Sequence, residues 1–310
     1  MTTAPTPGQG DAVRLATARP HDSIAAATSM DAVTLLVGDL DRQLRFYRDG
    51  LLLEVIERPG DRFDELARRP DVVTLGRHGR PLVVLRHTPD LPPVDRRSAG
   101  LFHTAILFDD RAGLAATLLS AAQREPQSYV GSADHLVSLA FYLTDPEGNG
   151  VELYWDRSRE LWEWEADGRI RMDALRLDPN AFLEENLREQ AATDAVVGHV
   201  HLQVGDVASA RAFYVDTLGF DVTAEWHGAL FVSAGGYHHH LAMNTWNSAG
   251  AGPRASSLGL GEVRITVPTG DDLGALAERV RGAGVASADD GAALVFQDPW
   301  RNVVRVAADA

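Results

Sequence analysis

Cysteine is absent from the 310 residues. That excludes disulfides, thiolate catalysis and zinc–thiolate sites. Any metal must be held by His, Asp or Glu. Positive charge is scarce as well: 29 Lys and Arg stand against 44 Asp and Glu, a net charge of −15 at pH 7. So acidic a surface repels phosphate backbones, and no nucleic-acid partner is expected. No apolar run reaches the ~18 residues that a membrane helix needs, so no membrane partner is expected either. The N-terminus shows no basic stretch followed by an apolar core, and a cytoplasmic location is expected. What remains is ordinary for a globular chain, with 45% hydrophobic and 24% charged residues. The length suits about two domains.

The chain repeats itself. Ala32-Val-Thr-Leu-Leu-Val-Gly-Asp39, with Phe46-Tyr47 and Asp49, is matched by His199-Val-His-Leu-Gln-Val-Gly-Asp206, with Phe213-Tyr214 and Asp216, at a constant offset of 167. Each copy opens as a strand and passes through Asp into a helix. A second pair follows. Gly100-Leu-Phe-His103 matches Gly259-Leu-Gly-Glu262. Asp145-Pro-Glu-Gly-Asn149-Gly-Val-Glu152 matches Asp298-Pro-Trp-Arg-Asn302-Val-Val-Arg305. The Asp-Pro-x-x-Asn stretch reads as a tight turn between strands. Four units of roughly 60–70 residues result, beginning near 31, 100, 198 and 259. The boundaries expected are a tail (1–29), a first domain of units one and two (30–157), a linker (158–195) and a second domain of units three and four (196–310). Within the linker a helix is predicted from Asn180 as N-cap.

Paired βαβββ units with these motifs resemble the vicinal oxygen chelate superfamily, which holds glyoxalases, antibiotic-resistance proteins and extradiol dioxygenases. Within it the chain is most similar to four-unit catechol 2,3-dioxygenases. Gly100-Leu-Phe-His103, Asp134-His-Leu-Val-Ser138 with Tyr142 and the Asp145 turn, and Gly235-Gly-Tyr-His-His-His240 carry that similarity. The resemblance implies an α+β fold of four βαβββ units in two cup-shaped, half-open β-barrel modules.

The superfamily's ligand positions fall on Ala32 in unit one, His103 and Glu152 in unit two, His199 in unit three, and Glu262 and Arg305 in unit four. If unit one pairs with two, neither cup is complete. If unit two pairs with three, and one with four, one cup gathers His103, His199 and Glu152. This second pairing is therefore expected. Two His and one carboxylate form the ligand set of non-haem Fe(II) oxygenases, and Mn(II) suits the same donors. His201 shares a strand face with His199 and competes with it, but His199 stands in the repeat where Ala32 stands. In the other cup Glu262 and Arg305 are expected to form a buried ion pair, worth ~3–5 kcal/mol on removal of Arg305.

The resemblance further implies that Tyr142, ten residues before Glu152, hydrogen-bonds the substrate. It implies an acid–base histidine in the 238–240 run, read as strand with alternating faces. Register favours His239, with His240 as the fallback. His135 is a candidate for orienting substrate or oxygen, and Trp246 and Asn244 for the pocket wall. The activity implied is extradiol cleavage of a catechol-like small aromatic by O2 at Fe(II), in a homo-oligomer. No cluster of Arg or Lys marks a carboxylate clamp, so neutral or modestly polar rings are expected. The rivals are a metal-dependent glyoxalase-like lyase or isomerase, and a drug-sequestering binding protein of the same fold.

Overall fold

The computed structural model describes residues 23–56, 71–188 and 193–309. Residues 1–22 of the expected tail lie outside them. Ser23 to Thr28, the rest of that tail before the first strand, pack on the body: Ile24 is buried and its N–H bonds to the carbonyl of Gly219 at 2.9 Å.

Unit one holds β1 (Ser29–Val37), α1 (Leu40–Leu44) running into a π-helical turn (Arg45–Gly50), β2 (Glu54–Val55), β3 (Val72–Arg77) and β4 (Arg80–His87). Unit two holds β5 (Gly100–Phe108), α2 (Arg111–Arg124), β6 (Tyr129–Asp134), β7 (Ser138–Thr144) and β8 (Gly150–Asp156). The connection adds β9 (Leu175–Arg176) and α3 (Pro179–Asn186). Unit three follows with β10 (Ala195–Gln203), α4 (Val207–Arg211) and its own π-helical turn (Ala212–Thr217), then β11 (Asp221–Trp226), β12 (Ala229–Ser233) and β13 (Leu241–Asn244). Unit four closes with β14 (Gly259–Val267), α5 (Gly270–Gly282), β15 (Ser287–Asp289), β16 (Ala293–Gln297) and β17 (Val303–Ala308).

The Asp that ends the first strand of units one to three is a helix N-cap. Asp39, Asp110 and Asp206 each accept a bond from a backbone N–H of the first turn, and Thr269 does so in unit four. Such caps satisfy N–H groups that have no partner inside the helix, worth about 1 kcal/mol apiece. In the connection the N-cap is Asp178, not Asn180. Pro179, with fixed φ and no N–H, suits the first helical position and moves the start back by two residues.

The strands form two curled half-barrels. One has the order β15-β16-β17-β14-β1-β4-β3-β2, the other β11-β12-β13-β10-β5-β8-β7-β6-β9. Unit one therefore joins unit four through antiparallel β1 and β14, and unit two joins unit three through antiparallel β5 and β10. This is the pairing that the ligand positions demanded. One apolar cluster runs through both sheets, including Val33 and Leu35 of β1, Ile106 of β5, Val197 and Val200 of β10 and Ile265 of β14. Among the described residues no helix is long and apolar enough to cross a membrane.

The Phe-Tyr pair of the repeat braces one unit to the next. Tyr47 of unit one donates to Asp145 of unit two at 3.1 Å, and Tyr214 of unit three donates to Asp298 of unit four at 2.9 Å. Both carboxylates are the hubs of the Asp-Pro turns. Asp145 also accepts from the N–H groups of Glu147 and Asn149 and from the Asn149 side chain. Burial raises the Asp145 carboxyl above its ordinary value despite these bonds. The turn holds the end of β7 and the start of β8 in register, which places Tyr142 opposite Glu152.

The expected ion pair in the half-barrel of units one and four is present but is not buried. Arg305 Nε bonds to Glu262 Oε2 at 3.0 Å, yet the Arg305 side chain is 37% exposed. Arg264 Nε holds the other oxygen at 2.8 Å, so the carboxylate stays paired without Arg305. Solvent screens this pair, and Arg305→Ala is expected to cost at most ~1 kcal/mol rather than ~3–5. Thermal unfolding of the variant checks this.

Candidate metal centre

Register across the second sheet builds one row of side chains. Tyr142 on β7 lies beside Glu152 on β8, Glu152 beside Ala105 on β5, and Ala105 beside His199 on β10. His103 is two residues from Ala105 and shares its face. The small Ala105 leaves the middle of the row open, and His103, Glu152 and His199 converge over it.

A bulge makes this possible. On β10 Val197 pairs with Ile106 and His199 pairs with Ala105, so Gly198 is an extra residue. It turns Val197 into the core and His199 into the site. Gly198 is also the residue that Tyr154 requires: a Cβ there would stand 1.7 Å from the Tyr154 hydroxyl.

The three side chains are buried, and their donor atoms all lie within 4.8 Å of one another. Glu152 Oε2 is 3.0 Å from His103 Nε2 and 3.3 Å from His199 Nε2. His103 Nε2 makes no hydrogen bond despite that distance. A buried imidazole nitrogen is thus left beside the carboxylate without a hydrogen-bond partner. Burial pushes the Glu152 carboxyl up, but His199 and His103 overcome this and hold it well below the carboxylate range. Burial is also the main reason that His199 is lowered to about 4. A carboxylate and two imidazoles, one of them neutral on this evidence, are the forms that bind a cation. The donor set therefore fits a divalent metal with N and O preference.

The triad lies in a cavity of about 470 Å³. Phe102, Phe231, Trp226, Trp246 and Met172 line its walls, and Arg96 stands at it as the one arginine. Tyr142 and His135 are there too. His135 Nδ1 lies 2.7 Å from the carbonyl of Asp173, which can only accept, so in the neutral ring Nδ1 carries the proton. Nε2 then accepts the Tyr142 hydroxyl proton at 2.6 Å. Burial, then the charge of Glu152, raises the Tyr142 phenol well above its ordinary value. It stays a neutral donor. The connection between the halves is thus part of the site, since Asp173, Met172 and Ala174 all come from it.

The histidine run departs from the strand expected of it. Residues 238–240 form a bend, and β13 begins only at Leu241. Strict alternation is lost, and adjacent His238 and His239 both line the cavity. His240 does not: its Nδ1 accepts from the N–H of Ala234 at 3.2 Å. His239 lies against His199, with ring centres 4.1 Å apart and planes tilted by 50°.

His201 also lines the cavity, directly across the strand pair from His103. Asn244 donates its amide to His201 Nε2 at 2.9 Å, which occupies that lone pair. Asn244 is therefore behind the wall rather than on it, while Trp246 lines the cavity. The only sequence signal for His201 was its two-residue spacing from His199, which spoke equally for a rival ligand. Asp156, which reaches the histidine run, has no sequence signal, and Tyr237 stands out only as part of the segment 235–240.

These shifts predict a pH response of the metal-free chain. Burial lowers His199 to about 4 and His240 to about 3, and lowers His201 and His239 well below the ordinary 6.5. Well above pH 6.5 all four are neutral folded or unfolded, and they do not bear on stability. As pH falls from 6.5 towards 4 the unfolded chain takes up protons that the folded chain refuses, so stability drops. His199 alone contributes on the order of 2–3 kcal/mol. Unfolding midpoints of metal-free protein at pH 7.5 and 5 are expected to differ accordingly.

Comparison with known proteins follows the same lines. The sequence model of the Glyoxalase/Bleomycin resistance protein/Dioxygenase superfamily matches residues 29–153 and 196–306. The catechol-2,3-dioxygenase of Bacillus subtilis (strain 168) is 35% identical over 284 residues, 89% of this chain and 96% of that protein. Among solved structures, a provisionally assigned dioxygenase from Bacillus subtilis subsp. subtilis str. 168 has a TM-score of 0.60 at 12% identity, covering 93% of this chain and 86% of that one. Glyoxalase I from Zea mays has a TM-score of 0.52 at 16% identity, covering 91% and 92%. At such identities the two structures speak for the fold alone. With duplicated βαβββ modules, a family match over most of its length and a catechol-2,3-dioxygenase relative, the chain belongs to the Glyoxalase/Bleomycin resistance protein/Dioxygenase superfamily.

Proposed function

We propose that the protein is an extradiol dioxygenase, which cleaves a catechol-type ring with O2 at an Fe(II) ion held by His103, Glu152 and His199. The observation that carries this reading is the convergence of two imidazoles and one ionised carboxylate at an aromatic-walled cavity. Three protein ligands leave coordination positions open. A bound Fe(II) supplies the chelation of both ring oxygens and the activation of O2. Mn(II) satisfies the same donors.

The remaining work falls to the chain. Phe102, Trp226, Trp246 and Phe231 exclude water and hold a flat ring. Tyr142, fixed by His135, donates its hydroxyl where the substrate oxygens lie. That hydroxyl has one proton, which bonds to His135 Nε2, so a substrate oxygen competes with His135 for it. His239 on the opposite flank takes a proton from the ring hydroxyl and returns it later in the cycle. The similarity to the Bacillus subtilis catechol-2,3-dioxygenase supports this reading. A site with one carboxylate and three ligands favours it over a glyoxalase-type lyase.

Tyr142→Phe and His239→Ala test the assignment of roles. Each is expected to keep one Fe(II) per chain and to lose ~10²-fold or more in turnover of catechol. Loss of metal in either variant would move that residue into the ligand set and contradict the scheme.

A further inference from the structure

The histidine run is wired to a carboxylate that the chemistry above does not use. His238 Nε2 lies 3.0 Å from Asp156 Oδ1. A carboxylate only accepts, so Nε2 carries the proton and, in the neutral ring, His238 Nδ1 is left with a lone pair. That lone pair faces His239 Nδ1 at 2.8 Å. His239 must then donate from Nδ1, and its Nε2 holds the free lone pair. Asp156 is itself fixed. Tyr237 donates to its Oδ2 at 2.8 Å, and the Tyr154 hydroxyl, 2.7 Å from that of Tyr237, can only point its proton there. The Gly198 bulge provides the space in which the Tyr154 hydroxyl sits. His238 is 1% exposed, so water has little access to break the chain.

We propose that Asp156 and His238 are positioning residues that set the tautomer of His239, so that His239 presents an unprotonated Nε2 to the cavity. The order is Tyr154 to Tyr237 to Asp156, then Asp156 to His238 to His239. When Nε2 of His239 takes the proton of a ring hydroxyl, the O–H bond breaks and an N–H bond forms. The wrong tautomer would offer N–H to the same hydroxyl and could not act as a base. The proposal rests on the reading of His239 as the acid–base group.

Two variants interrupt the chain at different links. Asp156→Ala removes the acceptor for His238, and His238→Phe removes the acceptor for His239 at nearly constant shape. Long-range ¹⁵N–¹H spectra of ¹⁵N-histidine-labelled, metal-free, full-length protein read the tautomer directly. The wild type is expected to show His239 protonated at Nδ1 alone, and both variants a mixture of tautomers. On loading with Fe(II), both are expected to keep one metal per chain and the wild-type KM for catechol, while kcat falls at least ~10-fold. Asp156→Glu is expected to restore the single tautomer. His239 protonated at Nε2 in the wild type, or an unchanged tautomer in both variants, would overturn the proposal. If iron-loaded wild type cleaves no catechol, the functional reading fails on its own, and the spectra still decide the wiring.

Discussion

Glu152→Gln is expected to abolish metal-dependent stabilisation of the protein while leaving its fold intact. Glutamine keeps the shape of the side chain and loses the charge. Glu152 is 3% exposed and is the only carboxylate in the cluster that it forms with His103 and His199. Those two imidazoles already hold it ionised against the pull of burial. An ionised carboxylate is the one formal negative charge that the triad offers a divalent cation. Changes to residues that merely support metal ligands weaken metal affinity 10–100-fold, so loss of a ligand is expected to cost at least ~100-fold. A ligand that binds only the folded state raises stability by RT ln(1 + [L]/Kd). Adding Fe(II) without oxygen is therefore expected to raise the unfolding midpoint of the wild type and to leave Glu152→Gln unchanged. Equal shifts for both proteins would remove Glu152 from the ligand set.

The second large effect is expected at the residue before His199, a glycine with no side chain of its own. Gly198→Ala places a Cβ 1.7 Å from the Tyr154 hydroxyl and 3.1 Å from the side chain of Leu107. No rotamer change cures so close an approach, because the tyrosine is fully buried. Either β10 moves, carrying His199 with it, or Tyr154 is expelled from its bond to Tyr237. Overpacking of this kind costs ~1–3 kcal/mol, and here it reaches the candidate metal site through the adjacent His199. Both the unfolding midpoint and Fe(II) affinity are expected to fall together. Gly131→Ala is the control. Nothing lies within 4 Å of a Cβ at that position, and a change within ~0.5 kcal/mol is expected. A Gly198→Ala protein with wild-type stability and metal affinity would mean that the bulge does not aim His199.

Much of this architecture is legible in the sequence because duplication makes each unit a control for the others. The constant offset between Ala32 and His199 points to the candidate ligand strand, and Arg305 standing where Glu152 stands marks the half-barrel whose set of donor residues is incomplete. Unit pairing follows from the ligand count before any strand order is known. What escapes is what depends on contact between distant segments. The Tyr47–Asp145 and Tyr214–Asp298 bonds join residues 98 and 84 positions apart, so the Phe-Tyr motif is visible and its purpose is not. The roles of Asp156 and Asp173 hide for the same reason. Alternation failed at His238–His240 because the chain bends there before β13 begins, and strand geometry governs only residues that are in the ladder. The Glu262–Arg305 pair is correctly read as a pair, but burial cannot be read from two residue names, and its energetic weight is lower for that reason.

Oxygen uptake by the full chain, loaded anaerobically with Fe(II) and then given catechol, tests the central claim most directly. One O2 consumed per catechol and a yellow ring-opened product are expected for the wild type, and neither for Glu152→Gln. Tight stoichiometric iron with no oxygen consumed, for catechol and for a panel of larger catechols that the cavity admits, would contradict it.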